Sequence, residues 1–181
     1  MAAIDHRIGL LTLRGGAGAE TVVKQVGNAI ALFADHPDQW ADLAAHREKI
    51  PAAVEEVLRF QAPSHYNVRR SMKEHTLHGV TIPEGAAVMM LVGSANRDER
   101  AFPDADRFDI DRSDEGAQNI GFGFGIHSCL GAALARLESR IALELLLDFM
   151  PAFEVDRARM QRVAMTNVAG YSSIPTRVVR A

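Results

Sequence analysis

The sequence predicts an α+β fold that is mainly α, because apolar residues recur at helical spacing in long segments on both sides of a group of short strand-like runs. A stretch rich in turn residues and charges separates the strands from the last long helix. The chain has 181 residues, 48% of them hydrophobic, which is enough for one domain with a substantial core.

The first helix is predicted from about residue 6 to residue 34, with apolar residues at Val22, Val23, Val26, Ile30 and Phe33. The segment "RGGAGAET" places three glycines inside this pattern. Each glycine costs up to about 1 kcal/mol relative to alanine in a helix interior. We therefore expect a kink or an opening of the helix between residues 17 and 21.

Two shorter helices follow, each with a proline suited to its first turn. The first is predicted from Pro37 to about Ala45. The second begins near Pro51, and Ala62 with Pro63 ends it.

Short strands are predicted after residue 65, in "YNVRRSM", "TLHGVTI" and "AAVMMLV". The charged stretch that follows has Phe, Pro and Asp at definite positions, which favours an ordered coil. The last long helix is predicted from about Leu130 to Phe149, with an apolar stripe of Leu134, Leu137, Ile141, Leu145 and Leu146. The terminal "VAGYSSIPTRVV" predicts a closing hairpin or strand.

Composition argues against several classes of function. Lys and Arg (20) nearly balance Asp and Glu (23), so the chain lacks the basic excess of a nucleic-acid or acidic-membrane binder. We expect no signal peptide and no membrane segment, because no apolar run is long enough. A single cysteine cannot form an internal disulfide, which fits a cytoplasmic protein.

That cysteine, Cys129, lies in "GFGFGIHSCLG", directly before the last helix. A small buried residue is the common role of a lone cysteine. However, the glycines allow close approach of the backbone to another group, and the helix amides would stabilise a thiolate. No Cys/His/Asn signature of a nucleophilic protease is present, and zinc would need further Cys or His ligands nearby. His127 is placed to contact another part of a bound group.

The segment "FGFGIHSCLG", Phe122 to Gly131, resembles the cysteine-ligand loop of the haem-thiolate monooxygenases, the cytochrome P450 family. Three further motifs resemble the same family. "EEVLR", with Glu56 and Arg59, resembles its Glu-x-x-Arg helix, and "FPDADRFD" resembles a coil that supplies another arginine, here Arg107. "AGAET" resembles the oxygen-activation stretch of its central helix. The four motifs stand in the family's order and cover nearly the whole chain.

The resemblance implies that Cys129 is the axial thiolate, and so the metal ligand, of haem b (iron protoporphyrin IX). Phe122 would then pack near the sulfur and shield it from water. Gly123 and Gly131 would let the loop approach the cofactor closely.

His127 and Arg69 are implied as donors to the haem propionates, with the adjacent Arg70 as an alternative to Arg69. Thr21 and Glu20 are implied as the catalytic alcohol and acid that relay protons during oxygen activation. The alternatives are an exposed strand arginine for Arg69 and a solvated polar pair for Glu20 and Thr21.

Glu56 and Arg59 are implied to form a buried structural triad with Arg107, which would pin their helix to the coil that frames the cysteine loop. The alternative is a surface ion pair contributing about 0.2–0.5 kcal/mol.

Family members are usually more than twice as long as this chain. Residues 1–181 therefore resemble a single partial domain, the C-terminal half of the P450 fold: the central helix onward, a small β-sheet, the meander coil, the cysteine-ligand loop and the following helix. The N-terminal half, which carries the distal roof and most of the substrate pocket, is missing from the resemblance. "RGG" stands where the family more often has apolar helix formers.

The implied reaction is the O2-dependent hydroxylation of a small apolar substrate with two electrons. The resemblance is closest to soluble bacterial members, which implies a ferredoxin and an NAD(P)H-dependent ferredoxin reductase as electron donor. We expect the isolated chain to be weakly active or inactive. Two alternatives stay open: a haem-binding module without turnover, and a non-enzymatic remnant or half that needs a separate N-terminal chain.

Overall fold

The computed structural model of the chain describes residues 14–112, 118–163 and 167–179. It confirms the α+β, mainly helical class. Within these ranges, no helix is both long enough and apolar enough to cross a membrane. The α-helices there are α1 (Ala19–Asp35), α2 (Pro37–Ala45), α3 (Ile50–Phe60), α4 (Val92–Ala95) and α5 (Ala132–Phe149).

The first helix does contain an irregular turn, but the turn lies earlier than expected: it is a π-helix, Arg14–Gly18, that leads directly into α1, so residues 19–21 are already regular α-helix. A Cβ added at Gly15, Gly16 or Gly18 would meet no atom within 4 Å, so packing does not enforce a regular helix here. The predicted part of this helix before residue 14 lies outside the described residues.

A proline lies in the first turn of each short helix, as predicted. Pro37 is the first residue of α2, and Pro51 lies in the first turn of α3. A proline is tolerated at these positions because the amides of the first turn have no partner within the helix. A 3₁₀ turn, Arg47–Lys49, joins the two helices.

Antiparallel strand pairs form the β part of the described chain. The first hairpin turns at His78 and Gly79, whose φ values of 48° and 79° suit a tight two-residue loop. The pairs are β1 (Asn67–Arg70) with β4 (Ala87–Met90), β2 (His75–Leu77) with β3 (Val80–Ile82), β5 (Ala152–Val155) with β8 (Thr176–Val179), and β6 (Gln161–Arg162) with β7 (Tyr171–Ser173).

The C-terminal segment, predicted to form a hairpin or a strand, forms strands that do not pair with each other. β7 pairs with β6, and β8 pairs with β5. The link between β7 and β8 is Ile174 and Pro175. Neither residue suits the positive φ that a tight hairpin loop requires, so each strand pairs with an earlier one.

The core lies where α1, α3 and α5 pack around aromatic side chains. The Phe33 ring centroid lies 5.0 Å from that of Trp40 and 5.4 Å from that of Phe108. The Trp40 indole N–H donates to the Met150 carbonyl at 3.1 Å, so this buried polar atom is satisfied. The core therefore holds α3 and α5, the two helices beside the cysteine loop, in a fixed relation.

α5 buries a different face from the predicted one. Leu143 and Leu147 are buried together with Ser139, and of the predicted stripe only Leu146 packs against the core. The helix carries leucine on two faces, and spacing does not reveal which face meets α1 and α3. The exposed members of the predicted stripe are Leu134 (58%), Leu137 (51%), Ile141 (47%) and Leu145 (63%).

Leu143→Ala should lower the free energy of unfolding by about 2–5 kcal/mol, because it opens a cavity in the core. Leu137→Ala, on the exposed face of the same helix, should change it by less than about 0.5 kcal/mol. Urea unfolding of both variants measures the difference. Equal losses would contradict the assignment of the buried face.

Candidate functional site

Glycines shape the loop that carries the cysteine, residues 121–131, which is called the cysteine loop below. A Cβ at Gly121 would lie 2.6 Å from Leu58 Cγ of α3, so a larger residue would force the loop away from α3. Gly123 and Gly125 have φ values of 75° and 76°, in the left-handed region that disfavours side chains. The sequence predicts that the glycines let the loop approach a bound group closely. Gly121 instead allows a close approach to α3 of the protein itself.

Cys129 precedes α5, and its side chain is exposed. Its amide donates to the Phe122 carbonyl at 2.8 Å, and its carbonyl accepts from the Ala132 amide at 3.3 Å. Its Sγ lies 3.9 Å from the position of a Cβ at Gly131, the residue that caps α5. The amides of a helix N-terminus favour nearby negative charge, which suits a thiolate ligand.

The cysteine loop exposes apolar side chains as well as the thiol. The exposed fractions are 82% for Phe124, 98% for Ile126 and 79% for Leu130. In the part of the chain that the structure describes, no group of three or more His, Cys, Asp or Glu side chains could hold a metal ion. A bare ion needs several protein ligands, whereas a porphyrin brings its own ring nitrogens and an apolar surface. An exposed thiol on a loop that also exposes apolar side chains is compatible with the haem that the sequence implies.

Of the other cofactor-binding residues predicted from the sequence, Phe122 and His127 lie in the cysteine loop, whereas Arg69 lies on a strand. Phe122 is partly buried, and His127 is exposed in a 3₁₀ turn, Gly125–His127. Arg69 is exposed on β1, where its Nη1 donates to the Val68 carbonyl at 3.0 Å. Arg70 lies instead against the turn before β4, with its Nη2 3.4 Å from the position of a Cβ at Gly85.

Glu20 and Thr21 lie in the first turn of α1, directly after the π-helix, and both are partly buried. The Thr21 hydroxyl donates to the Ala17 carbonyl at 3.1 Å. Such a bond to the carbonyl four residues earlier often accompanies a bend in a helix. The two residues are thus adjacent in sequence and lie directly after the π-helical turn.

Glu56 and Arg59 form a buried ion pair, with exposed fractions of 4% and 3%. Two guanidinium nitrogens of Arg59 donate to the two carboxylate oxygens of Glu56 at 2.7 and 2.8 Å. Arg59 also donates to backbone carbonyls of the irregular segment after α4, residues 96–112, which is called the coil below; the acceptors are Asn96 (2.9 Å), Ala105 (2.8 Å) and Arg107 (3.1 Å).

The prediction that the Arg107 side chain is the third member of this triad is wrong. Its guanidinium is 68% exposed and lies 3.3 Å from an Asp109 carboxylate oxygen. The second cation at Glu56 is Arg112, whose Nε lies 3.3 Å from Oε2. Arg107 contributes its backbone carbonyl, which accepts from Arg59 (3.1 Å) and from Arg112 (2.7 Å). Arg107 and Arg112 both belong to the coil. The backbone path of the coil determines which of the two side chains points toward Glu56, and the sequence alone does not give that path.

The sequence reasoning missed a second ion pair near the cysteine loop. Arg136 of α5 donates from Nε to Glu55 Oε1 at 2.5 Å and from Nη2 to Oε2 at 3.1 Å. Its hydrogen bonds to Glu55 raise the pKa of Arg136. The sequence signal for this pair is weak: "EEVLR" contains a second glutamate, Glu55, directly before Glu56.

Known proteins resemble the chain in sequence and in structure. Residues 16–169 match the family model described as Cytochrome P450. The chain is 43% identical over 162 residues to putative cytochrome P450 123 of Mycobacterium tuberculosis, over 90% of this chain and 40% of that protein. It is 41% identical over 155 residues to mycinamicin IV hydroxylase/epoxidase of Micromonospora griseorubida, over 84% of this chain and 37% of that protein.

The solved structure of the tirandamycin C-bound P450 monooxygenase TamI has a TM-score of 0.88 with this chain at 35% sequence identity. That similarity covers 94% of this chain and 43% of TamI. The chain spans about 40% of the length of the curated relatives it matches.

Arg59→Ala should lower the free energy of unfolding by about 3–5 kcal/mol, because it deprives a buried carboxylate of its closest cation. Arg177→Ala removes an exposed partner of Glu154 and should cost less than about 1 kcal/mol. Guanidinium chloride unfolding of the two variants compares these losses. A loss below about 0.5 kcal/mol for Arg59→Ala would show that the pair behaves like a surface pair.

Arg112→Ala should cost about 1.5–3 kcal/mol, the range for hydrogen bonds that involve a charged group. Arg107→Ala keeps the backbone carbonyl that both arginines use, so it should cost less than about 0.5 kcal/mol. Comparing the denaturant midpoints of the two variants tests whether Arg112, and not Arg107, is the second cation at Glu56. The reverse order of losses would restore Arg107 to the triad.

Proposed function

The chain belongs to the cytochrome P450 family, and we propose that it binds haem b through the Cys129 thiolate as the haem-holding part of an O2-dependent monooxygenase. One observation carries the proposal: the loop before α5 exposes both a thiol and three large apolar side chains. A thiol in this setting can serve as a ligand without any rearrangement of the core.

Each residue of the loop has a distinct task in this proposal. Cys129 supplies the axial ligand, and Phe122 restricts access of water to the sulfur. Gly123 and Gly131 let the backbone lie close to the cofactor, while His127 and Arg69 donate to its propionates. Haem, when bound, supplies the oxygen activation and the one-electron chemistry.

Thr21 and Glu20 are proposed as the catalytic pair. The Thr21 hydroxyl holds a proton at Oγ1, and the Glu20 carboxylate can accept or return one, so together they can move protons toward the reacting centre. The support is their position beside the π-helix, since π-helical turns occur frequently at functional sites.

The proposed reaction is hydroxylation of a small apolar substrate with O2 and two electrons, delivered by a ferredoxin and its NAD(P)H-dependent reductase. The similar protein of Micromonospora griseorubida is named a hydroxylase/epoxidase, which supports this class of reaction. Because this chain spans about 40% of its relatives, we expect weak monooxygenase activity or none from the chain by itself.

A second candidate function is haem binding without turnover. The observation that favours it is the exposure of Phe124, Ile126 and Leu130, which offers an apolar surface for a cofactor and does not by itself require a substrate site. Carbon monoxide and imidazole would then bind freely although no substrate is oxidised.

The chain reconstituted with haem, reduced and exposed to carbon monoxide should show the long-wavelength Soret band of a thiolate-ligated haem. Cys129→Ala should abolish that band, because the ligand is removed, and should leave the denaturant midpoint close to that of the parent, because the side chain is exposed. Ser128→Ala, at the neighbouring position, is the matched control and should keep the band. An unchanged spectrum in Cys129→Ala, or no haem retained by the parent, would defeat the proposal.

A further inference from the structure

A polar cluster that the proposed mechanism does not use lies between α3, the start of the cysteine loop and α5. Glu55 accepts two hydrogen bonds from Arg136, and its Oε2 also accepts from Asn119 Nδ2 at 3.1 Å. Asn119 in turn accepts the Gly121 amide on its Oδ1 at 3.1 Å. The carboxylate therefore connects α5 to the residue at which the cysteine loop begins.

The same guanidinium also contacts the cysteine loop directly. Arg136 lies over the Phe122 ring, with its Cζ 4.6 Å from the ring centroid, within the range of a cation–π interaction. The Phe122 carbonyl accepts the Cys129 amide at 2.8 Å. One cation thus contacts the aromatic residue whose backbone holds the cysteine.

We propose that Arg136 is a positioning residue for Cys129: fixed by Glu55, it holds Phe122 in place and keeps a permanent positive charge beside the cysteine loop. The loop-holding part follows from the chain's own contacts. The effect of the charge on a bound haem rests on the proposed function.

A surface ion pair with no further role is the competing explanation, since the two side chains are 39% and 37% exposed. The position of the Arg136 guanidinium over the Phe122 ring argues against this explanation, because a surface ion pair does not need that contact. The two explanations predict different results for Arg136→Lys, because lysine keeps the charge but loses the planar, two-pronged geometry.

The first experiment measures hydrogen exchange in the chain without haem, in peptides that contain the Cys129 amide. Arg136→Gln should raise the exchange rate of that amide about tenfold or more, while amides in the buried part of α3 keep their rates. Arg136→Lys should give a partial increase. Arg47→Gln is the matched control: it removes an exposed pair with Asp148 near the end of α5 (2.7 Å) and should leave the cysteine loop unchanged.

The positioning role is overturned if Arg136→Gln exchanges at the parental rate, or if the Cys129 amide is unprotected in the parent itself. It is also overturned if amides of the loop and the core speed up equally, because that result indicates a loss of overall stability only.

The second experiment measures the reduction potential of the haem-reconstituted chain. Removing a positive charge near the ligand stabilises the oxidised centre, so Arg136→Gln should shift the potential to more negative values. Arg136→Lys should shift it less, and Arg47→Gln should leave it at the parental value. An unchanged potential in Arg136→Gln would overturn the charge effect. If the parent fails to bind haem, the proposed function fails, and the exchange experiment still decides the positioning role.

Discussion

The buried carboxylate of Glu56 imposes the constraint on which the arrangement of the site depends. A charge with an exposed fraction of 4% is costly unless cations and hydrogen bonds replace its lost water. Arg59 and Arg112 supply the cations, and the Asp109 amide donates at 2.9 Å. Because the last two come from the coil, this coil cannot move away from α3 without exposing an unbalanced charge.

The position of the cysteine loop depends on the buried Glu56 and its partners. The Asn96 carbonyl accepts from Arg59 at 2.9 Å, and the Asn96 side-chain oxygen accepts the Ile120 amide at 2.8 Å. The next residue, Gly121, then packs directly on Leu58 of α3. A continuous series of hydrogen bonds and contacts thus runs from the buried charge to the beginning of the loop, so a residue far from the thiol can control where the thiol lies.

The sequence was most informative where short-range chemistry decides the structure. Prolines locate the starts of α2 and α3, and the glycines near residue 16 predict the irregular turn before α1. Long-range choices were not accessible in the same way. Which leucine face of α5 is buried depends on where α1 and α3 lie, and whether Arg107 or Arg112 reaches Glu56 depends on the path of a coil. Spacing along the chain carries no information about either choice.

The exposure of the cysteine loop has a physical consequence for the proposed cofactor. Apolar surface exposed to water costs about 25 cal/mol of free energy for each Å². A porphyrin that covered the exposed side chains of Phe124, Ile126 and Leu130 would therefore gain that free energy on binding. The gain depends on a loop that is already ordered, because the entropy of ordering it would otherwise be subtracted. The contacts of Gly121 with α3 and of Phe122 with Arg136 order the loop in the absence of the cofactor. The binding surface is therefore apolar where it meets the ligand and is held by polar contacts behind it.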